Sequence, residues 1–308
     1  MEKRAKIVTI VVAVLAVAAV VGLAVYTSGP PSKPNSSVIQ VVAAENFWGS
    51  LIAQMGGTHV SVTSIVTDPN ADPHEYEANA SDARAIADAQ LVIENGEGYD
   101  SWCSQLVGSS DTPGQVVLNV QNTLGVASGG NPHFWYNPNY VNITVHQMYS
   151  DLVSISPGNT QYFQQQYATL NASLGQLYGE AAAIKAHFAG TEVASTESIF
   201  VYLANFTNLD LVSPPAFMDA VAEGNDPPAQ SVVVFQQQLE SGNVSVLVYN
   251  AQTVSPLTSS MKAIAQSNNV TVIAVTETIQ PPNVSFQLWM ESEYLDLYNA
   301  LNAKTLGQ

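Results

Sequence analysis

The chain has 308 residues, which leaves room for two domains of ordinary size or one large domain. It carries 8 Lys and Arg residues against 25 Asp and Glu residues, for a net charge of −17. This charge excludes a nucleic-acid-binding protein that works by neutralising phosphates. The 46% hydrophobic content is enough for a full core, and the one cysteine, Cys103, excludes an internal disulfide framework and a cysteine-rich zinc module.

A long apolar segment near the N-terminus predicts where the protein resides. Residues 7–26 contain no charged residue and follow a basic tip that holds Lys3, Arg4 and Lys6. A helix of about 20 residues is about 30 Å long, which is enough to cross a bilayer core. Because this run is longer than that of a cleavable signal and no convincing cleavage site follows it, we predict an uncleaved membrane anchor. The basic tip stays inside, so the rest of the chain is expected outside the cell.

The predicted exterior part is strongly acidic. Residues 34–308 keep 4 basic residues and 24 acidic ones, so their net charge is −20. In acid the carboxylates are neutral and few positive charges remain to repel each other, so this composition favours an acidic habitat. Asn-x-Ser/Thr triplets are candidates for glycosylation of an exterior domain, although a chain rich in these residues also contains them by chance. They begin at Asn35, Asn79, Asn142, Asn171, Asn205, Asn243, Asn269 and Asn283.

Apolar runs alternate between strand-like and helix-like patterns along the chain, which is typical of βα units and a parallel sheet. Strands are predicted at residues 37–43, 60–65, 91–93, 116–118, 192–195, 244–249 and 270–275. Helices are predicted at residues 47–55, 81–89, 101–106, 139–155, 200–208, 229–241, 256–267 and 286–301. Ser81 is expected to cap the second of these helices.

Residues 160–188 form the longest helical pattern, with no proline and only two glycines. A helix of this length would span about 43 Å, which suits a helix that runs along two lobes. We therefore predict an α/β fold in which two parallel-sheet α/β lobes are bridged by one long helix and preceded by an N-terminal transmembrane anchor. In this division, residues 1–36 are the basic tip, anchor and tether, residues 37–158 and 189–308 are the lobes, and residues 159–188 are the linking helix.

Two histidines stand in matching contexts, an Asp-Pro-His triplet that ends at His74 and an Asn-Pro-His triplet that ends at His133. Proline restricts the backbone before each imidazole, and neutral imidazole suits zinc, manganese and iron. Glu197 and Glu277 each follow a predicted strand by two residues, where sites form in parallel α/β sheets. Any one of these four could equally be an ordinary loop residue. The remaining histidines, His59, His146 and His187, are assigned to structural roles.

Several stretches of the chain carry a resemblance to a known family. They include AAENFWGSLIAQMGG at residues 43–57, the DPHEYE block within residues 65–102, and NPHFWYNP at residues 131–138. They resemble the zinc/manganese-type metal-binding lipoproteins of bacterial and archaeal ABC importers, and the resemblance covers nearly all of residues 38–302. It implies two α/β lobes bridged by a rigid long helix, with the metal held between the lobes.

Carried over residue by residue, the resemblance implies four ligands: His74, His133, Glu197 and Glu277. The chain departs from the family in having no lipid-anchor cysteine, no histidine-rich loop between about residues 105 and 130, and glutamate where the fourth ligand is usually aspartate. Two imidazoles and two carboxylates favour manganese or iron if the carboxylates are bidentate, while zinc stays open because it binds most such sites more tightly. Asp72, Glu75 and Glu77 could orient the imidazoles or could be solvated loop acids.

The sequence thus predicts an extracellular, monomeric solute-binding component of an ABC importer. It would capture Zn²⁺ or Mn²⁺, or else iron, and deliver the ion to the permease. The alternative is a metal-dependent surface adhesin. An enzyme is not expected, because a zincin needs a second histidine four residues after the first on one helix, where this chain has Ala78 after a proline-containing loop.

Overall fold

The fold is taken from a computed structural model, which describes residues 38–68, 73–110 and 112–306. The predicted membrane anchor at residues 7–26 lies outside the described residues. Within them, the helices are all too short or too polar to cross a membrane.

The first lobe is built on a parallel sheet whose central strands are almost wholly buried, as in sheets that are covered on both faces. Its described strands are β1 (Ile39–Glu45), β2 (Val60–Val66), β3 (Leu91–Glu94) and β4 (Val116–Asn119), in the spatial order β2-β1-β3-β4. Its helices are α1 (Asn46–Gly56), α2 (Ala80–Asp88), α3 (Ser101–Ser110), α4 (Val120–Leu124) and α5 (Pro138–Ile155).

The long helix α6 (Thr160–Phe188) has the bounds that the sequence pattern predicts. Its buried side chains recur at helical spacing along one stripe, which is the face that packs against the rest of the protein. They are Phe163, Leu170, Leu174, Leu177, Ala181, Ile184 and Phe188.

The second lobe repeats the plan of the first. Its described strands are β5 (Glu192–Ser195), β6 (Asp210–Leu211), β7 (Val246–Asn250) and β8 (Thr271–Val275), all parallel and in the spatial order β6-β5-β7-β8. Its helices are α7 (Val201–Thr207), α8 (Pro215–Ala222), α9 (Ala229–Glu240), α10 (Pro256–Ser267) and α11 (Phe286–Leu306). The strand β6 and the helix α8 have no counterpart among the predicted elements.

Helix α6 contacts both lobes. It packs against α1 and α5 of the first lobe and against α7 and α11 of the second. Its buried side chains belong to one continuous apolar core with residues of both sheets, such as Val41 and Val248. The two lobes are therefore joined by shared packing along a helix as well as by the chain.

The start of helix α2 corrects one prediction. Its N-cap is Asn79 rather than Ser81: the Asn79 side-chain oxygen accepts a hydrogen bond from the Ser81 backbone N–H at 2.7 Å. Asp82 in turn accepts from the Asn79 backbone N–H at 2.8 Å, which completes a capping box. Two N–H groups that would lack helical partners are satisfied in this way, so the helix begins at Ala80.

Candidate metal site

The structure brings the four predicted ligands to one place. Each offers one ligand atom, and these atoms all lie within 4.8 Å of one another: His74, His133, Glu197 and Glu277. The last three are fully buried, and the His74 side chain is 20% exposed.

The two imidazoles face the two carboxylates. Nε2 of His133 lies 3.1 Å from Oε1 of Glu197 and 3.9 Å from Oε2 of Glu277. Nε2 of His74 lies 3.3 Å from that same Oε2 of Glu277. One nitrogen of each histidine and one oxygen of each glutamate thus converge, which is a ligand set that zinc, manganese and iron accept.

The two histidines lie in longer segments that follow strands of the first lobe, and the two glutamates lie just after strands of the second. His74 lies in a 3₁₀ turn after β2, and His133 precedes another 3₁₀ turn in the segment that follows β4. Glu197 follows β5 by two residues, and Glu277 follows β8 by two residues. The first lobe therefore supplies both nitrogens and the second lobe both oxygens, at the sheet edges where α/β proteins form sites.

Asn131 determines which nitrogen of His133 faces the cluster. Its Oδ1 atom lies 2.7 Å from Nδ1 of His133 and also accepts the His133 backbone N–H at 2.9 Å. Because an amide oxygen only accepts, Nδ1 donates its proton to Asn131, and Nε2 is the nitrogen left to ligate a metal. The Asn131 side-chain nitrogen donates to the Ser198 carbonyl at 2.6 Å, so the same residue also reaches the second lobe.

Two buried atoms at the centre of the cluster lack hydrogen bonds. Nε2 of His133 and Oε1 of Glu197 have no hydrogen-bond partner within the part of the chain that the structure describes. Buried polar atoms are nearly always satisfied, and these two face each other at 3.1 Å. A cation between them would satisfy both, so the donor set fits a metal ion.

Glu277 is held in its ionised form. Burial alone would raise the pKa of Glu277, but the neighbouring His74 and His133 together with the Asn250 amide outweigh burial and lower that pKa to about 2. A carboxylate must be deprotonated to ligate a metal. The partners around Glu277 therefore favour the form that a metal ligand requires.

Three residues that the sequence reasoning did not single out complete the site. Asn250 donates from Nδ2 to both carboxylates, and Tyr99 donates to Oε2 of Glu277 at 2.8 Å. Thr253 donates to Oε1 of Glu277 at 3.1 Å. Asn250 is the last residue of β7, so its position at a strand end was a usable signal.

The described acidic residues near His74 and the three other histidines are not part of the cluster of four ligands. Glu75 and Glu77 are solvent-exposed, as expected of solvated loop acids, and Asp72 lies outside the described residues. The remaining histidines have their own partners, consistent with structural roles. His59 packs edge-on against Tyr162, His146 packs against Tyr167, and Nδ1 of His187 lies 2.8 Å from the Ala183 carbonyl within α6.

Comparison with known proteins identifies the family. The family model described as "Zinc-uptake complex component A periplasmic" matches residues 41–300. The chain belongs to this family. The manganese ABC transporter substrate-binding lipoprotein PsaA of Streptococcus pneumoniae is 23% identical over 293 residues, which cover 89% of this chain and 89% of that protein.

Solved structures share the fold of this zinc-uptake component A family. The periplasmic zinc-binding protein TroA of Treponema pallidum superposes with a TM-score of 0.73 at 15% identity, covering 85% of this chain and 98% of that chain. The laminin-binding protein Lmb of Streptococcus agalactiae, described as bifunctional with adhesin and metal transporting activity, superposes with a TM-score of 0.69 at 18% identity. The alignment covers 85% of this chain and 99% of that chain.

Membership of the zinc-uptake component A family confirms the predicted resemblance and the fold of two parallel-sheet α/β lobes. The protein is a solute-binding component of a metal ABC importer and not an enzyme, and its transported ligand is a divalent metal ion. The family's extracytoplasmic placement agrees with the predicted exterior position of the domain.

Proposed function

We propose that the chain captures one divalent ion, zinc or manganese, between its lobes and delivers it to the permease of an ABC importer. The proposed ligands are His74, His133, Glu197 and Glu277. The observation that carries the proposal is the convergence of two imidazole nitrogens and two carboxylate oxygens on one buried point. Iron also accepts imidazole nitrogens and carboxylate oxygens, as zinc and manganese do, so it is a further candidate for the transported ion.

The proposed domain division follows from where these ligands originate. Residues 37–158 supply the two histidines, residues 189–308 supply the two glutamates, and residues 159–188 link the two lobes. An ion held by this set would be shared equally between the lobes. A buried cluster of this kind can be reached by an ion but not by a macromolecule. The site itself therefore supports metal transport and gives no support to the adhesin alternative.

Titration of the purified full-length protein tests the proposal. We expect one ion per chain by calorimetry and elemental analysis, and a melting temperature that rises with metal concentration by mass action. His133→Ala should weaken binding by about 100-fold or more, since it removes a ligand outright. His146→Ala, the same substitution on helix α5, is the matched control and should bind as the wild type does. The proposal would be contradicted by a melting temperature that does not change with zinc, manganese or iron. It would also be contradicted by equal losses of metal affinity in the two variants.

We also propose that residues 7–26 hold the protein at the outer face of the cell membrane as an uncleaved anchor, and that the protein acts as a monomer. The uncharged length of this segment supports the anchor, and Cys103 is buried in the first lobe rather than placed after the segment for lipidation. Intact-mass measurement of the membrane fraction is expected to find residues 1–36 retained. A mature chain that begins after residue 26 would overturn the anchor.

N-glycosylation belongs to the same proposal. Several of the candidate sites are exposed, among them Asn171, Asn205 and Asn243. Exposure is what a glycosylated asparagine requires. The same mass measurement, repeated after treatment with a glycosidase, tests it: a mass that does not change on treatment would refute glycosylation.

A further inference from the structure

One buried amide holds both carboxylates of the candidate metal site. Asn250 is fully buried at the end of β7, and its Nδ2 atom donates to Oε2 of Glu197 and, at 2.7 Å, to Oε1 of Glu277. Its Oδ1 atom accepts the Gln252 backbone N–H at 2.9 Å. That bond determines which end of the amide faces the carboxylates, since only the nitrogen can donate to them.

The amide engages the outer oxygen of each carboxylate. Outer here means the oxygen that does not face the histidines: Oε2 of Glu197 and Oε1 of Glu277. Thr253 adds a second hydrogen bond to the outer oxygen of Glu277, at 3.1 Å. The inner oxygens are the ones that lie 3.1 Å and 3.3 Å from the imidazole nitrogens of His133 and His74. Each carboxylate therefore presents one oxygen to the site.

The inner oxygen of Glu277 is positioned from the opposite lobe. The Tyr99 hydroxyl, which is buried in the first lobe, donates to this oxygen at 2.8 Å. A carboxylate oxygen accepts more than one interaction, so this bond leaves a lone pair for a metal. With donors on both of its oxygens, Glu277 is held against the rotation that would bring both oxygens to one ion.

We propose that Asn250 is a specificity-determining residue that keeps both glutamates monodentate and so favours zinc over manganese. The inference rests on the proposed function. Two imidazole nitrogens and two single carboxylate oxygens make a four-coordinate set, which is the ordinary geometry of zinc in proteins. Manganese prefers about six ligands, mostly oxygens, and would need the outer oxygens that Asn250 occupies. The sequence predicts a preference for manganese or iron only if the two carboxylates are bidentate, and Asn250 opposes that arrangement.

Substitution of the amide tests the proposal. Asn250→Leu keeps the branched side-chain shape but removes both N–H donors. The outer oxygen of Glu197 then becomes free to ligate, and the outer oxygen of Glu277 keeps only the Thr253 bond. The ratio of zinc to manganese affinity, measured by competition on the full-length protein, should fall about tenfold. Thr253→Val removes a donor from Glu277 alone and should give a smaller fall. Thr207→Val removes a buried hydroxyl that bonds within helix α7, away from the site, and should leave the ratio unchanged.

The visible absorption spectrum of the wild-type protein loaded with Co²⁺ reports the coordination number of the bound ion. We expect the intense d–d bands of four-coordinate cobalt in the wild type and weaker bands in Asn250→Leu. Weak, six-coordinate bands in the wild type would overturn the proposal even if the variant did not fold, as would an unchanged affinity ratio in a folded variant. A wild-type protein that binds no metal would instead overturn the proposed function.

Discussion

Single side chains in the metal site divide their polar atoms between the protein and the proposed ion. In His133, Nδ1 bonds to Asn131 and Nε2 faces the cluster. In Glu197, Oε2 accepts from Asn250 and Oε1 faces the cluster. Hydrogen bonds of this kind orient ligands before a metal arrives and commonly affect affinity as much as tenfold to a hundredfold. Substitutions of Asn131 and Asn250 are therefore informative although neither is a proposed ligand.

Glu197→His should shift the site further toward zinc. It exchanges a carboxylate oxygen for an imidazole nitrogen and leaves three nitrogens and one oxygen, a softer set that suits zinc. The ratio of zinc to manganese affinity, measured by competition, should rise about tenfold. Glu192→His, the same substitution at the opposite end of strand β5, is the control and should not change the ratio. A ratio that stays constant in Glu197→His would remove Glu197 from the proposed ligands.

The proposed ligands could be predicted from the sequence, but the residues that hold them could not. The Pro-His triplets and the acidic residues after strands left each of the four open to an ordinary loop role, and the family resemblance joined them into one set. The structure does bring His74, His133, Glu197 and Glu277 together. Asn250 and Tyr99 have side chains that occur throughout this chain, and their roles depend on contacts between residues distant in sequence. Tyr99 reaches Glu277 across 178 positions, which no local pattern encodes.

Among the secondary-structure elements, helix α6 was the easiest to predict and α8 among the hardest. Apolar residues at helical spacing over 29 residues leave no other interpretation of α6. Strand β6 has only two residues, too few for an alternating pattern. Helix α8 begins at Pro215 directly after Pro214, and a proline pair signals a break in the chain as readily as the first turn of a helix.

Gly175→Ala and Gly179→Ala should each stabilise the protein by about 1 kcal/mol, because glycine in a helix interior is less favourable than alanine by that amount. Both glycines are exposed in α6, and an added Cβ would meet no neighbouring atom of the described residues within 4 Å. Urea denaturation measures the free energy of unfolding. Gly190→Ala is the control: that glycine is equally uncrowded but has φ of +79°, so the variant should lose about 1 kcal/mol. A loss of stability in the α6 variants would contradict this account of the helix.

Several carboxyl groups are buried inside the described part of the molecule. Burial raises the pKa of Asp100 to about 7, and nearby Glu94 adds to the rise, although backbone N–H donors oppose it. Glu45, buried beside Asp100, also has a raised pKa, chiefly through burial. Burial likewise raises the pKa of Glu293 to about 8, even though the Tyr136 hydroxyl donates to it at 2.6 Å.

These shifts predict that the protein is more stable in mild acid than in mild alkali. A carboxyl whose pKa is higher in the folded state contributes stability that is complete below about pH 4 and is lost as the pH rises to about 8. The lowered pKa of Glu277 acts in the opposite sense, but only below its ordinary value of 4.5. Between pH 5 and pH 8, the metal-free protein should lose on the order of a few kcal/mol. This direction agrees with the acidic habitat that the composition favours.

Urea denaturation at pH 5 and pH 8, with chelator present, measures this loss. Asp100→Asn and Glu293→Gln should each reduce the difference between the two pH values, because the substituted groups do not titrate. Asp210→Asn replaces an exposed carboxyl and serves as the control. A wild-type protein that is more stable at pH 8 than at pH 5 would contradict the assignment.

The even division of the proposed ligands between two lobes makes each lobe a weak two-point chelator. Once one lobe holds the ion, the other binds it intramolecularly, at an effective concentration that depends on the spacing of the lobes. The hydrogen bonds from Tyr99 to Glu277 and from Asn131 to Ser198 span the same gap. If the lobes separated, both hydrogen bonds would break, and the ion would lose the ligands of one lobe at the same time. We therefore expect a permease that draws the lobes apart to release the ion without competing for it chemically.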